Sequence, residues 1–222
     1  MPDLSFQITN VESSSRSMTP LLQFRIKITS SPPEEIIQAV LLNAQIQIQC
    51  PRRGYNAREK ENLYELFGPP ESWGQTLRNR LWANTSTTVN SFRGNVEAAL
   101  PVACTFDFNV ASARYLNGLE EGEIPLLFLF SGSVFYSGAG GRLQVTPISW
   151  NSECSWRMPI AVWRALMEQH YPNSAWFSLR RDVFDRLNAY KRQRRLLTWE
   201  EAIDELLEQN AAPSAERTEA MA

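Results

Sequence analysis

Apolar and polar residues alternate along several early stretches of the chain, and this period of two constrains the fold more than any other feature of the sequence. In the clearest stretch the apolar positions run in steps of two from Leu22 to Ile28. Residues 4–8 and 42–50 repeat the pattern. Because a period of two places each apolar set on one face, these stretches predict half-buried strands of an antiparallel sheet that packs on one side.

Further strands are predicted along the middle of the chain. The segments with strand-like composition or alternation are residues 82–92, 96–105 and 105–110. Residues 124–136 form the most apolar stretch, and its continuous first half is typical of a strand that is buried on both faces. The glycine-rich segment 138–141 predicts a hairpin turn into a strand over residues 143–148.

Helical spacing occurs in an insertion and again in the last third. Leu63, Leu66 and Phe67 stand at i, i+3 and i+4 and predict a short amphipathic helix. Thr198 and Glu201 form a capping box in which each satisfies a backbone amide of the other. The remaining segments with helical spacing are residues 73–81, 111–121, 159–170 and 179–190. We interpret residues 210–222, which are small and polar, as a disordered tail.

Together these patterns predict an α+β protein, a mainly antiparallel β-sandwich with helical insertions and a C-terminal helical subdomain. We place the sandwich-like domain at residues 1–158. The helical subdomain is expected at residues 159–209, packed on the sandwich, and the tail follows.

Composition and charge exclude several classes of protein. With 22 basic and 24 acidic residues the net charge is −2, which disfavours general nucleic-acid binding. A single histidine and three widely spaced cysteines argue against a metal centre or a disulfide framework, and we expect neither a metal nor a cofactor. The first residues lack the features of a signal peptide, and the longest apolar run, residues 124–130, is far shorter than the roughly 20 residues of a membrane span. These features predict a cytoplasmic protein.

No residue pattern points to catalysis. The glycines at 138–141 lack the lysine and the following helix of a phosphate-binding loop. His170 lies near the end of a predicted helix, where it interacts with the helix dipole, and Cys154 has no local partner that indicates a nucleophile. We interpret the acidic pairs as solvated surface. A non-enzymatic protein is therefore expected, and an unrecognised enzyme is the weakest of three hypotheses.

The tryptophans leave two functions open. They are Trp73, Trp82, Trp150, Trp156, Trp163, Trp176 and Trp199. Exposed rings on a sandwich can form a sugar-binding platform, and they can also anchor a protein interface. The third interpretation, a core that packs helices on the sheet, fits the several tryptophans that fall on apolar faces.

A basic segment near the C-terminus is the candidate partner surface. Between residues 180 and 195 there are seven basic residues and two aspartates, whereas residues 200–208 hold five acids and no base. The residues of the candidate surface are Arg180, Arg181, Lys191, Arg192, Arg194 and Arg195. The two segments can neutralise each other as an antiparallel pair, or the basic one can bind an acidic partner protein. RNA binding is a third interpretation, which is disfavoured because few aromatic residues, Tyr190 among them, interleave with the basic ones.

Several blocks of the sequence resemble an uncharacterised bacterial family that is labelled as a domain of unknown function. The opening MPDLSF, at residues 1–6, is one such block. The others are LFGxPxxWGxTLR at residues 66–78, LPVxCTFDF at 100–108, FSGSVFY at 130–136 and PIAVWR at 159–164. The resemblance covers residues 1–209.

This resemblance implies genomic context rather than chemistry. Genes of the family are often found in clusters with uptake-type nickel–iron hydrogenases and their maturation factors. The family has no assigned catalytic residues. The implied role is an accessory or assembly protein that binds a hydrogenase subunit or maturation factor. The alternative that the residues leave open is a β-sandwich module that binds a sugar or another small ligand.

Overall fold

The alternating stretches form strands, as their period predicts. The computed structural model describes residues 1–14, 17–104, 110–174 and 179–211. Its strands are β1 Asp3–Ser13, β2 Leu21–Ser31, β3 Ile37–Ile48, β4 Arg80–Val89, β5 Asn95–Ala103, β6 Glu123–Ser137, β7 Leu143–Pro147 and β8 Glu153–Pro159. Its α-helices are α1 Ala57–Asn62, α2 Tyr64–Phe67, α3 Trp73–Thr76, α4 Val110–Gly118, α5 Ile160–His170, α6 Arg181–Arg194 and α7 Trp199–Ala211.

The strands form two antiparallel sheets. One has three strands in the order β1-β2-β5. The other has the order β4-β3-β6-β7, and β8 also pairs with β6. Pro101 lies in β5, an edge strand, where its missing N–H costs no ladder hydrogen bond.

Strand β6 holds the larger sheet together. Along one side it pairs with β3, from Leu126 opposite Ile48 to Tyr136 opposite Ile37. Along its other side the first half pairs with β8 and the second half with β7. Between these halves lies Gly132, with φ of 138°, where a Cβ atom would overlap the carbonyl oxygen of Leu41. Only glycine fits this close approach of two backbones.

The apolar faces of the two sheets meet in one core. The ring of Phe24, in β2, contacts three rings of the other sheet in edge-to-face geometry. The centroid distances are 5.2 Å to Phe128, 6.1 Å to Trp82 and 6.0 Å to Trp156. The predicted α+β fold class, with a β-sandwich and several helices, is confirmed.

The helical insertion packs its predicted apolar positions inward. Leu63 and Phe67 are buried, and so is Tyr115 of α4. Gly118 lies so close to Leu63 that a Cβ atom there would stand 2.8 Å from the leucine side chain. The predicted helix over residues 111–121 corresponds to α4, which begins at Val110. The predicted strand over 105–110 falls mostly on residues 105–109, which lie outside the described ones.

The chain divides into two units, Met1–Asn173 and Ser174–Ala222. The sequence patterns place the boundary between the sandwich-like domain and the helical subdomain at residues 158 and 159, before α5. The observed division lies after α5 because Ile160, Trp163 and Leu166 are buried in the core of the first unit. That the C-terminal subdomain packs on the sandwich stays a prediction. Helix α7 extends to Ala211, into the predicted tail, and residues 212–222 lie outside the described part of the chain.

Candidate interaction surfaces

The basic residues of the candidate surface form two groups at opposite ends of α6. Arg180 and Arg181 lie at its beginning, and each pairs with an aspartate of the same helix. The distances are 3.0 Å from Arg180 to Asp182 and 3.2 Å from Arg181 to Asp185. Because these guanidinium groups already have carboxylate partners, the beginning of α6 presents little uncompensated charge.

The end of α6 is different. Lys191 donates a hydrogen bond to the carbonyl oxygen of Leu197, and Arg194 pairs with Glu205 of α7 at 3.4 Å. In the described part of the chain, the side chains of Arg192 and Arg195 have no ion pair or hydrogen bond. Arg195 adopts the left-handed conformation, with φ of 59°, and caps the helix. Among the residues of the candidate surface, the uncompensated charge therefore lies at the carboxyl end of α6, where the helix dipole favours cations.

Helices α6 and α7, called here the helix pair, make specific contacts. The rings of Phe184 and Trp199 have their centroids 5.3 Å apart. Gln209 donates a hydrogen bond to the hydroxyl oxygen of Tyr190 at 3.1 Å. Ala202, the small residue of α7, is fully buried. The pair thus has a defined interface, with one described ion pair across it, that of Arg194 and Glu205.

Much of the apolar surface of the helix pair remains uncovered. Helix α6 contains no buried residue. Leu197 is 84% exposed, Leu207 is 63% exposed, and Phe184 is 41% exposed. Phe184 lies on α6, Leu207 on α7 and Leu197 on the connection between the two helices. Scattered single apolar residues on a surface are ordinary, but three within one helix pair and its connection indicate an unfilled contact.

Most of the described tryptophans lie in the core rather than on an exposed platform. Trp73, Trp82 and Trp163 are buried, and Trp156 packs against the same core. Trp150 is 94% exposed, in the turn between β7 and β8. Trp199 contacts Phe184 and is half-buried, and Trp176 lies outside the described residues. For most of the described tryptophans the core interpretation is the correct one.

An uncharged groove lies where the two sheets meet, and residues of both sheets line it. It has a volume of about 840 Å³. The side-chain amides along it belong to Asn43, Gln45 and Asn84, and Thr85, Ser86 and Ser131 add hydroxyl groups. Such groups donate and accept hydrogen bonds without charge, which suits neutral polyhydroxylated ligands. Its described lining contains one aromatic residue, Phe130, whose side chain is buried.

Arg53 and Glu59 form a buried ion pair that sequence reasoning missed. Both Nη atoms of Arg53 donate to the carboxylate, at 2.7 and 2.8 Å. Arg53 also donates to the carbonyl oxygens of Glu121, just before β6, and of Glu123, the first residue of β6. Glu59 lies in a capping box with Asn56, and this Asn-x-x-Glu pattern was visible in the sequence. Through these hydrogen bonds the pair connects the helical insertion to the beginning of β6.

The environment of Glu59 keeps it ionised. Burial alone would raise its pKa, but hydrogen bonds from Arg53 and from two backbone amides outweigh burial and lower the pKa to about 2. The amides belong to Glu120, at 2.9 Å, and Asn56, at 3.2 Å. A carboxylate with every oxygen engaged has no free lone pair for catalysis, so this pair is structural.

The buried tyrosine hydroxyls and cysteine thiols of the first unit are poorly reactive. Tyr55 donates to the carbonyl oxygen of Cys50 at 2.8 Å, so the Tyr115 hydroxyl donates to Tyr55, also at 2.8 Å. Burial raises the pKa of both tyrosines. Burial also raises the pKa of Cys50 to about 11 and that of Cys104 to about 12. These thiols stay protonated at neutral pH, and a protonated thiol is a poor nucleophile.

The sequence matches one family over nearly its whole length. The model of DUF6084, a family of unknown function, matches residues 1–215. The chain belongs to this family. The predicted membership in a domain of unknown function is thus confirmed, and no enzyme family is identified. No curated protein matches the chain.

Likenesses to solved structures are weak. A solution structure of a protein assigned as late embryogenesis abundant has a TM-score of 0.31 and 8% identity, over 72% of this chain and 71% of that chain. A crystal structure of a protein assigned as ApaA, from Bordetella pertussis, has a TM-score of 0.22 and 11% identity, over 71% of this chain and 93% of that chain. At these values neither structure informs the fold or function of this family member.

Across the described ranges, no helix combines the length and the apolar character that a membrane-crossing helix needs.

Proposed function

We propose that this DUF6084 protein is a non-enzymatic accessory protein that binds a partner protein through its helix pair. The observation that carries the proposal is the uncovered apolar surface of α6 and α7 beside a basic helix end. Phe184, Leu197 and Leu207 supply the apolar surface. Arg192 and Arg195 supply positive charge that no described residue compensates.

These features specify the chemistry of the partner. Apolar side chains provide affinity when a complementary surface covers them, at roughly 25 cal/mol per Å². Charged residues at the rim mainly steer encounter and orient the complex. The partner therefore presents an apolar patch with acidic residues at its edge. Within the resemblance described above, a subunit or maturation factor of a bacterial nickel–iron hydrogenase system is the proposed partner.

Charge reversal tests the proposal directly. The purified chain is titrated against hydrogenase subunits and maturation factors, and binding is measured by calorimetry at low and high salt. Arg192→Glu with Arg195→Glu is expected to weaken binding at least tenfold at low salt. The thermal midpoint should fall only slightly, because neither side chain has a described partner to lose and the helix dipole contributes less than about 1 kcal/mol for each charge. Arg180→Glu serves as the matched control, since Arg180 lies on the same helix and is already paired. Binding that survives both the charge reversal and Phe184→Ala would contradict this assignment of the surface.

A second candidate function is a module that binds a neutral sugar, and the amide-lined groove is the observation that favours it. Three amides and three hydroxyls line this groove. Sugar sites usually add an aromatic ring that stacks on the sugar face, and the described groove exposes none. Saturable binding of one glycan class, lost in Asn43→Ala with Asn84→Ala, would support this function over the first.

A further inference from the structure

A second pocket lies between the helical insertion and the first residues of β4. Its volume is about 540 Å³, within the range of small-molecule sites. The described residues that line it are Leu66, Phe67, Thr76, Arg78, Asn79, Arg80, Leu81 and Ser112. Two of these are arginines and none is acidic. None of these lining residues belongs to the helix pair or to the groove described above.

Arg80 carries a half-buried charge to which the described residues supply no counter-ion. Its guanidinium carbon lies 5.2 Å from the ring centroid of Phe67. Its Nε atom is inaccessible to water and has no hydrogen-bond partner. No carboxylate within the described residues pairs with it. The buried Arg53 of the same unit, by contrast, holds a bidentate carboxylate.

Arg78 adds a second positive charge at the same pocket. Its Nη1 donates to the carbonyl oxygen of Leu77 at 2.9 Å, which leaves Nε and Nη2 for a ligand. The hydroxyls of Thr76 and Ser112 already donate to backbone carbonyl oxygens. The arginines are therefore the principal free donors of the pocket.

The walls of the pocket set a second requirement. Phe67 is buried beneath Arg80, whereas Leu66 and Leu81 offer apolar surface to the pocket. A ligand that fits both features has a compact anionic group and a nonpolar portion. Guanidinium groups match the planar edge of a carboxylate and the face of a phosphate, with two parallel hydrogen bonds each.

We propose that this pocket binds a small molecule whose oxyanion, a phosphate or a carboxylate, lies between Arg78 and Arg80. The nonpolar part of the ligand lies along Leu66 and Leu81. The bound oxyanion supplies the counter-charge that Arg80 lacks. This inference is independent of the proposed partner surface, since none of its residues belongs to α6 or α7.

The test measures thermal midpoints and calorimetric binding of the full chain with inorganic phosphate and with succinate. Sodium chloride at equal ionic strength controls for screening. At a hundredfold excess over the dissociation constant, either oxyanion is expected to raise the midpoint of the first unit by about 5 °C or more. The two arms identify the anion class, since a phosphate site responds mainly to phosphate and a carboxylate site mainly to succinate.

Variants locate the effect. Arg80→Met keeps the packing on Phe67 and removes the charge, and it is expected to weaken oxyanion binding at least tenfold. Arg78→Gln, at an exposed position, is expected to weaken binding without a risk to folding. Arg93→Gln, at an exposed position outside the pocket, leaves binding unchanged. The proposal is overturned if chloride gives the same midpoint shift, if neither oxyanion binds saturably, or if Arg78→Gln and Arg80→Met both bind like the natural chain.

Discussion

Arg53 and Arg80 lie in the same unit and show two contrasting environments for a buried guanidinium group. Arg53 donates to one carboxylate and to backbone carbonyl oxygens on two sides. Arg80 rests on an aromatic ring and keeps an unpaired Nε. A buried charge without a partner is costly, so the first environment stabilises the fold and the second is suited to a ligand.

The pair of Arg53 and Glu59 predicts a measurable pH dependence. The pKa of Glu59 is about 2 in the folded chain against an ordinary value of 4.5. A carboxyl group with a lowered folded pKa contributes stability that is fully present above about pH 4.5 and is lost as the pH falls towards 2. Glu59→Gln is expected to lower the free energy of unfolding by about 3 kcal/mol at pH 7. Urea denaturation measures this loss.

The same experiment at pH 3 completes the prediction. There the difference between the natural chain and Glu59→Gln should shrink to about half or less, because at pH 3 Glu59 is almost fully protonated in the unfolded chain and still mostly ionised in the folded one. Glu65→Gln is the control, since Glu65 forms an exposed pair with Arg114 and should cost less than about 1 kcal/mol. A constant difference between pH 7 and pH 3 would show that Glu59 acts through packing rather than charge.

At this scale the sequence identifies local pairs and misses distant ones. The capping box of Asn56 and Glu59 is a pattern within four positions and is readable. The carbonyl partners of Arg53 come from residues 121 and 123, and Ser112 joins Arg78 in its pocket only through the fold. No periodicity encodes such long-range proximity, so the two arginines could not be singled out.

At the scale of elements, period-two patterns predicted β2 and β3 well, because each of these strands has one buried face and one face that is more exposed to solvent. Strand β8 was missed, although Cys154, Trp156 and Met158 alternate with polar residues. The prediction took Pro159 as the first residue of a helix. In the structure Pro159 ends β8 and also serves as the N-cap of α5, so the strand runs directly into the helix.

The predicted capping box of α7 is confirmed, and it leads to a test. Thr198 Oγ1 accepts from the amide of Glu201 at 3.1 Å, and the Glu201 carboxylate accepts from the amide of Thr198 at 3.4 Å. Thr198→Ala is expected to destabilise α7 by about 1 kcal/mol. Amide exchange in the first turn of α7, followed by NMR, should become about fivefold faster.

Ser72→Ala is the matched control for the cap. Ser72 occupies the N-cap position of α3 and makes no side-chain cap hydrogen bond. Its replacement should leave amide exchange in both helices unchanged. Equal effects of the two substitutions would mean that the Thr198 cap does not hold α7.

At the scale of the whole molecule, burial is concentrated in one unit. The apolar core consists of residues from Leu4 to Leu166. In the second unit, Ala202 is the one fully buried apolar residue among those described. Apolar residues recur at helical spacing in both C-terminal helices. This spacing identifies the apolar side of a helix, but it does not show whether other residues of the same chain pack against that side.

The concentration of burial predicts that the first unit folds alone. A chain that ends at Asn173 keeps the entire described core and should unfold cooperatively in a thermal scan monitored by near-ultraviolet circular dichroism. Residues 174–222 alone should be weakly helical, because short isolated helices are marginal in water. Loss of cooperative unfolding in the shortened chain would contradict this division of stability.

The two-sided pairing of β6 also has a consequence for the order in which the molecule is made. Strand β3 reaches its partner only after a long interval of chain, since Val40 pairs with Val134. During synthesis, the hairpin of β1 and β2 is complete early, whereas β3 must wait for β6 to leave the ribosome. Until then one edge of β3 has no strand partner, and the core lacks the apolar side chains of β6. The nascent chain is therefore most exposed to aggregation, and most dependent on chaperones, before β6 emerges.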